Sequence, residues 1–274
     1  MAQYKLEITE FGEKGRKNYR SETGSPCGER QKNMKNNKLT TVKLGLIGYE
    51  EALNLQFMIQ KLVILGRLGH ALLILEHTPV ITLGSRANPG NILADPELLR
   101  SKGIDVVQTN RGGDVTYHGP GQIVGYPILN LNELGKDVKE HVRKLEETTI
   151  RLLMNEYGIE SGRIPGLPGV WVGNDKITAI GCSVKRWVSM HGFAFNVNTD
   201  MNGFTLINPC GILDKGVTSL KNITGAEQDM QENMDLVIKY FCEIYGLESE
   251  ASDPQTFIND VKELNHECNQ AGLA

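Results

Sequence analysis

Apolar positions along the chain change their period several times, and each change predicts an element. Residues 49 to 67 carry Ala52, Leu53, Phe57, Ile59, Leu62 and Val63 at mostly helical spacing, with Gly66 and Gly69 bracketing the end. His70 to His77 encloses the continuous run Ala71 to Leu75, short enough for a buried strand. Leu44 to Gly48, Val80 to Leu83, Ile104 to Thr109 and the apolar run from Ile123 to Leu131 read as further strands. A short helix through Lys102 is capped by Asp95, with Pro96 in its favoured first position.

Asp137 to Tyr157 is amphipathic and stopped by Gly158, and a loop with two prolines spans Gly162 to Gly169. Val170 to Gly173, Lys176 to Trp187 and Phe193 to Asn198 predict strands, the first two joined at Gly173-Asn174-Asp175. Met201 to Leu213 is irregular. Ala226 to Tyr245 and Asp253 to His266 predict two last helices. The order gives one α+β domain, a mixed β-sheet packed by helices, over residues 44 to 250. Residues 1 to 40 are expected to be a polar extension, and 251 to 274 a helical C-terminal tail.

Charge supports that division. Residues 1 to 43 hold ten Lys and Arg against five Asp and Glu, in a chain whose net charge is -4. The acidic remainder argues against bulk nucleic-acid binding. The longest apolar run is far too short to cross a membrane, and no secretory signal is visible, so the cytoplasm is the expected location. Five scattered cysteines fit free thiols in a reducing compartment. Neither they nor the six histidines have zinc-ligand spacing, so no metal and no cofactor are expected.

The densest concentration of chemistry is RGGDVTYHGPGQIVGYPI, from Arg111 to Ile128. Its glycines let backbone approach a ligand, and it contains Arg111 and His118. Among the cysteines, Cys242 sits on or beside the apolar side of a helix, Cys268 lies in the tail and Cys182 in a strand. Cys210, between Pro209 and Gly211, is the thiol best placed for exposure. A thiol of pKa ~8.5 beside an amine of pKa ~10.4 would give up its proton with about 2.6 kcal/mol in favour. The partner could be Lys176, His118 or His191, and sequence distance does not choose among them.

RGGDVTYHGPGQIVGYPIL closely resembles the signature of the lipoyl(octanoyl) transferases. KITAIG at Lys176, HGFAFNV at His191 and NPCGI at Asn208 match that family's later blocks in order. The resemblance spans about Leu44 to Gly246 and implies the fold of the lipoate and biotin protein ligases. It implies transfer of an octanoyl or lipoyl group from acyl carrier protein to a lysine of a lipoyl domain or glycine-cleavage H protein.

By the same resemblance the nucleophile falls on Cys210, which would carry an acyl-thioester, and the activating lysine on Lys176. Substrate contacts fall on Arg111, Gly112, Gly113, Asp114, Val115, Thr116, Tyr117 and His118. Others fall on Ala179, Ile180 and Gly181 and on Gly192, Phe193 and Ala194. Cys182 is left to packing. Glycine-rich backbone N–H groups are expected as oxyanion donors, and small residues at Gly192 and Ala194 as room for the acyl chain. Asp114 is read as a turn-former that would raise the lysine's pKa if it faced Lys176 instead. Lys185 and Arg186 are candidates for docking the acidic carrier.

Two other readings compete. An ATP-dependent lipoate or biotin ligase would need an adenylate-binding loop, and no Walker A or basic glycine-rich ligase motif is present. A non-catalytic acyl-binding protein would not need Lys176 and Cys210 together.

Overall fold

Alternation along strand β2 (His70–His77) shows how the molecule is layered. Leu72 and Ile74 face one core, while Ala71, Leu73 and Leu75 face another, and all five are fully buried. Strand side chains alternate between faces, so a strand apolar on both must be covered twice. The computed structural model describes residues 37–208 and 215–273. The expected extension up to residue 36, Cys27 within it, and Cys210 lie outside the described residues.

The main sheet is mixed. Its path runs through β12 (Glu248–Ala251), β1 (Lys38–Ile47), β2, β6 (Gln122–Ile128), β10 (Val188–Asn196), β9 (Asp175–Lys185), β8 (Leu167–Val172) and β7 (Gly162–Ile164). β1 is parallel to both its neighbours, and the pairs from β2 to β7 are antiparallel. A two-residue strand, β11 (Gly216–Val217), adds to β9. One face is covered by α3 (Val138–Tyr157) and α5 (Met230–Tyr245), through Leu145, Leu152, Val237 and Phe241. The other is covered by α1 (Tyr49–Ile64) and α6 (Pro254–Gln270), through Ile59, Leu62, Phe257 and Val261. A smaller sheet, β4 (Asp105–Gln108), β3 (Val80–Leu83) and β5 (Val115–His118), packs with α2 (Pro96–Ser101) and the 3-10 turn Met201–Leu206. Among the described residues no helix is long and apolar enough to cross a membrane.

Several boundaries differ from those the sequence predicts. β1 begins at Lys38, inside the expected extension, because Leu39 packs in the core and Lys38 to Thr41 pair with β12. Val115–His118 forms an additional strand, held against β3. The two-proline loop is the β7–β8 hairpin, and β10 starts five residues before Phe193. The helix expected from Ala226 starts at Met230, where Asp229 accepts the N–H of Glu232, and a short helix α4 (Leu220–Thr224) precedes it. The expected C-terminal helix is α6, packed on the sheet with Cys268 fully buried, and β12 before it extends the sheet.

Candidate functional site

A cavity of about 550 Å³ opens between the central strands, the 111–118 stretch, the N-terminal turns of α3 and the β7–β8 hairpin. Three of the expected blocks meet there: Arg111 to Thr116 with His118, Ala179 to Gly181 and Gly192 to Ala194. Lys176, at the start of β9, lines the same space. Tyr117 does not. Its ring packs edge-on against Phe204 at 5.5 Å, in the core beside the smaller sheet.

Arg111 is buried and braces the wall instead of reaching into solvent. Its Nε and Nη2 donate to Thr82 Oγ1 at 3.0 and 2.9 Å, and Nη2 also reaches the carbonyls of Thr82 and Asp114 at 2.6 and 2.7 Å. The carboxylate of Asp114 accepts from the Asn88 N–H at 2.9 Å and from Asn91 Nδ2. It ties a distant loop to the signature, which supports a structural role over one facing Lys176. The N–H of Gly112 donates to the Cys182 carbonyl at 3.0 Å, so this glycine amide is already engaged and not held out for an oxyanion. Close docking of the two segments requires Gly181, where a Cβ would stand 2.7 Å from the Gly112 carbonyl oxygen.

Under this wall lies a cluster that the motifs did not reveal as a unit: Tyr49, His77, His118, Tyr126 and His191. Ring centroids are 5.1 Å apart for Tyr49 and His77, 5.7 Å for His77 and His118, and 6.4 Å for Tyr126 and His191. The partners assign the protons. The Ile47 carbonyl can only accept, so His77 donates from Nδ1 at 3.0 Å and its Nε2 accepts the Tyr126 hydroxyl at 2.7 Å. Gln122 donates from Nε2 to Asn196 Oδ1 at 2.8 Å, leaving its Oε1 to accept from His118 Nδ1 at 2.7 Å.

Burial pushes all three histidines toward the neutral form. His118 falls to about 3 through burial, then His77 and Arg111; His77 falls to about 4 through burial, which outweighs its bond to Ile47. His191 falls to about 4 through burial and then Arg111. His191 also has φ 58° within β10, an uncommon conformation for a residue with a Cβ. Its N–H donates to Gln56 Oε1 at 2.9 Å and its Nε2 lies 2.6 Å from Asn110 Oδ1. With Arg111 as the adjacent cation, neutral imidazoles serve this cluster as hydrogen-bonding groups, not as charges.

Lys176 is half-buried, with Nζ 4.7 Å from the centroid of the Trp171 ring. Cys182 lines the cavity, yet burial pushes its thiol up to about 12, so it remains protonated near neutral pH. The smallness of Gly192 serves strand approach: a Cβ there would fall 2.2 Å from the Gly125 carbonyl oxygen and 2.5 Å from Pro127 Cδ. Arg86, which is exposed, and Lys215, which is half-buried, also border the cavity; the sequence does not single out either as a site residue. Lys215 donates to Asn174 Oδ1 at 2.7 Å. Among the described residues no cluster of His, Cys, Asp and Glu is suited to hold a metal.

Known proteins resemble this chain in sequence and in fold. Residues 48–242 match the lipoyl protein ligase A/B catalytic domain. An octanoyltransferase of Desulforamulus reducens is 52% identical over 227 residues, covering 82% of this chain and 98% of the relative. One of Caldicellulosiruptor saccharolyticus is 50% identical over 210 residues, covering 76% and 89%. A bi-partite lipoate protein ligase from Thermoplasma acidophilum superposes with a TM-score of 0.62 at 14% identity, covering 84% of this chain and 92% of that one, a likeness of fold. The chain belongs to the lipoyl protein ligase A/B catalytic domain family, in company with the octanoyltransferases.

Proposed function

We propose that this protein transfers an octanoyl group from acyl carrier protein to a lysine of a lipoyl domain or of glycine-cleavage H protein, through a thioester on Cys210. The observation that carries the reading is the convergence of Lys176 and the three signature blocks on one cavity, in a chain half identical to octanoyltransferases. An octanoyl group has nine heavy atoms, fewer than the drug-sized ligands that pockets of about 300–1,000 Å³ enclose. The 550 Å³ cavity therefore has room for the chain and part of the arm that delivers it. Lys215 and Gly216, which follow directly on residues 209–214, border the same space.

Two acyl transfers complete the reaction. Lys176 accepts the Cys210 proton, and the thiolate attacks the donor carbonyl. The carrier thiol departs with a proton, so one thioester replaces another and the acyl group stays activated. The acceptor amine then attacks the Cys210 thioester, an amide forms, and the cysteine leaves as a thiol with the amine's proton. Activation resides in the donor thioester, and the route consumes no nucleotide. The acidic carrier docks at Lys185 and Arg186, exposed at the β9–β10 turn.

The test is intact mass after mixing with octanoyl-acyl carrier protein and no nucleotide, followed by mapping of the modified residue. An octanoyl adduct on Cys210, lost in Cys210→Ala, is expected. Folded protein without an adduct would overturn the reading. Acceptor octanoylation strictly dependent on ATP and free octanoate would replace it with a ligase, as the Thermoplasma protein of like fold is named.

A further inference from the structure

The β8–β9 hairpin is irregular where it meets the cavity. Gly169 pairs with Ala179 and Val170 with Thr178, but Trp171 pairs with Lys176, so the register skips Ile177. Two residues of β9 then oppose one of β8, a bulge that re-aims side chains. An unbroken ladder would have set Trp171 opposite Ile177. The skip puts the indole and the lysine side by side, with Nζ 4.7 Å from the ring centroid.

Neighbouring groups hold both partners. Trp171 is 3% exposed, and its Nε1 donates to the Leu167 carbonyl at 3.1 Å, fixing the ring. The lysine stem runs past Gly169, where a Cβ would stand 3.3 Å from both Lys176 Cδ and Cε. Gly169 has φ 132°, and its N–H donates to Glu146 Oε1 at 3.1 Å. The other Glu146 oxygen accepts from Arg163 Nε at 2.7 Å. Glu146 on α3 thus anchors the strand against which the lysine lies. By contrast, Trp187, which meets Lys136 at 5.1 Å, is 37% exposed. A cation over a desolvated ring gains more than one at the surface.

We propose that Trp171, set opposite Lys176 by the Ile177 bulge, is a positioning residue that holds the Lys176 ammonium over its ring face during acyl transfer. The inference rests on the Cys210 and Lys176 reading. An ammonium fixed in this way faces the cavity in one orientation and keeps its proton to higher pH, because the ring's electron-rich face favours the charged form. The coupled thiol and amine titrate as a pair. If the thiolate–ammonium form dominates the singly deprotonated pair, weakening the ring interaction raises the energy of both protonated states alike. The first proton loss is then unmoved, and only the upper limb shifts down.

The chain has two tryptophans, so fluorinated analogues are placed at position 171 alone in a Trp187→Phe background. One, two and three ring fluorines drain the π face while nearly keeping its shape and its N–H. The pH dependence of kcat/KM with octanoyl-acyl carrier protein is then followed. Across the series the upper apparent pKa should fall stepwise, by about half a pH unit to one and a half in total, while KM holds. Trp171→Phe should recover part of what Trp171→Leu loses. An upper limb unmoved across the folded series overturns the inference, even when the Cys210 adduct forms. Absence of that adduct in the Trp187→Phe reference and in wild type would overturn the underlying reading along with it.

Discussion

Buried neutral histidines make the fold acid-sensitive, to an extent the structure allows one to work out. His77, His141 and His191 are held at about 4 and His118 at about 3, each through burial first, against an ordinary value near 6.5. Their folded pKa values are depressed, so the unfolded chain binds more protons wherever the pH lies between about 4 and 6.5. Stability is then lost as pH falls through 6.5, and the loss levels off once the folded sites titrate. Between pH 7 and 5 each site costs about 2 kcal/mol and the four together about 7, with a slope near 5 kcal/mol per pH unit at pH 5.5. That approaches the whole stability of an ordinary domain, about 5–15 kcal/mol. Urea unfolding at pH 7.5, 6.5, 5.5 and 5.0 measures it. His141 lies outside the cavity, with Nδ1 2.8 Å from the Tyr245 hydroxyl. His141→Gln should therefore take one proton, about 1.4 kcal/mol per pH unit, off the slope. A stability that is flat from pH 7 to 5, or an uptake of less than one proton on unfolding, would refute the assignment of neutral buried imidazoles.

Other perturbations have distinct signatures. Cys182→Ala should keep most acyl transfer, because burial pushes that thiol up to about 12; steady-state rates with the mapped adduct check it. Asp114→Asn should lower stability by about 1–2 kcal/mol, since one of the two donors from Asn88 and Asn91 loses its acceptor, and should leave the basic limb of the pH profile in place. Gly192→Ala should cost about 1–3 kcal/mol or more by forcing β10 from β6, read as a drop in Tm. Reversing the charges of Lys185 and Arg186 should raise KM for the carrier protein while octanoyl-pantetheine turnover stays unchanged.

The sequence by itself determined the elements whose signals are local. Asp95 and Asp137 cap helices where their patterns begin, Gly158 ends α3 in the left-handed conformation, and Ala71 to Leu75 forms a buried strand. It also carried the signature blocks, and Arg111, Lys176, Ala179 to Gly181 and Gly192 to Ala194 do meet at one cavity. Tertiary structure decided whatever depends on a distant partner. Lys38 to Thr41 sit in a stretch whose polar surroundings mask their strand signal, and they become β1 because β2 on one side and β12, over 200 residues away, on the other pair with them. Val115 to His118 gives four residues to a strand only against β3, and Tyr117 on it packs against Phe204 in the core of the smaller sheet. His77 and Tyr126 look like polar and aromatic interruptions of apolar runs; only the fold joins them to His118 and His191 and leaves them neutral by burial. Lys176 was legible as a residue, but its position over Trp171 follows from a one-residue slip in strand register. A slip of that kind is set by packing on both faces of the sheet, and local sequence does not specify it.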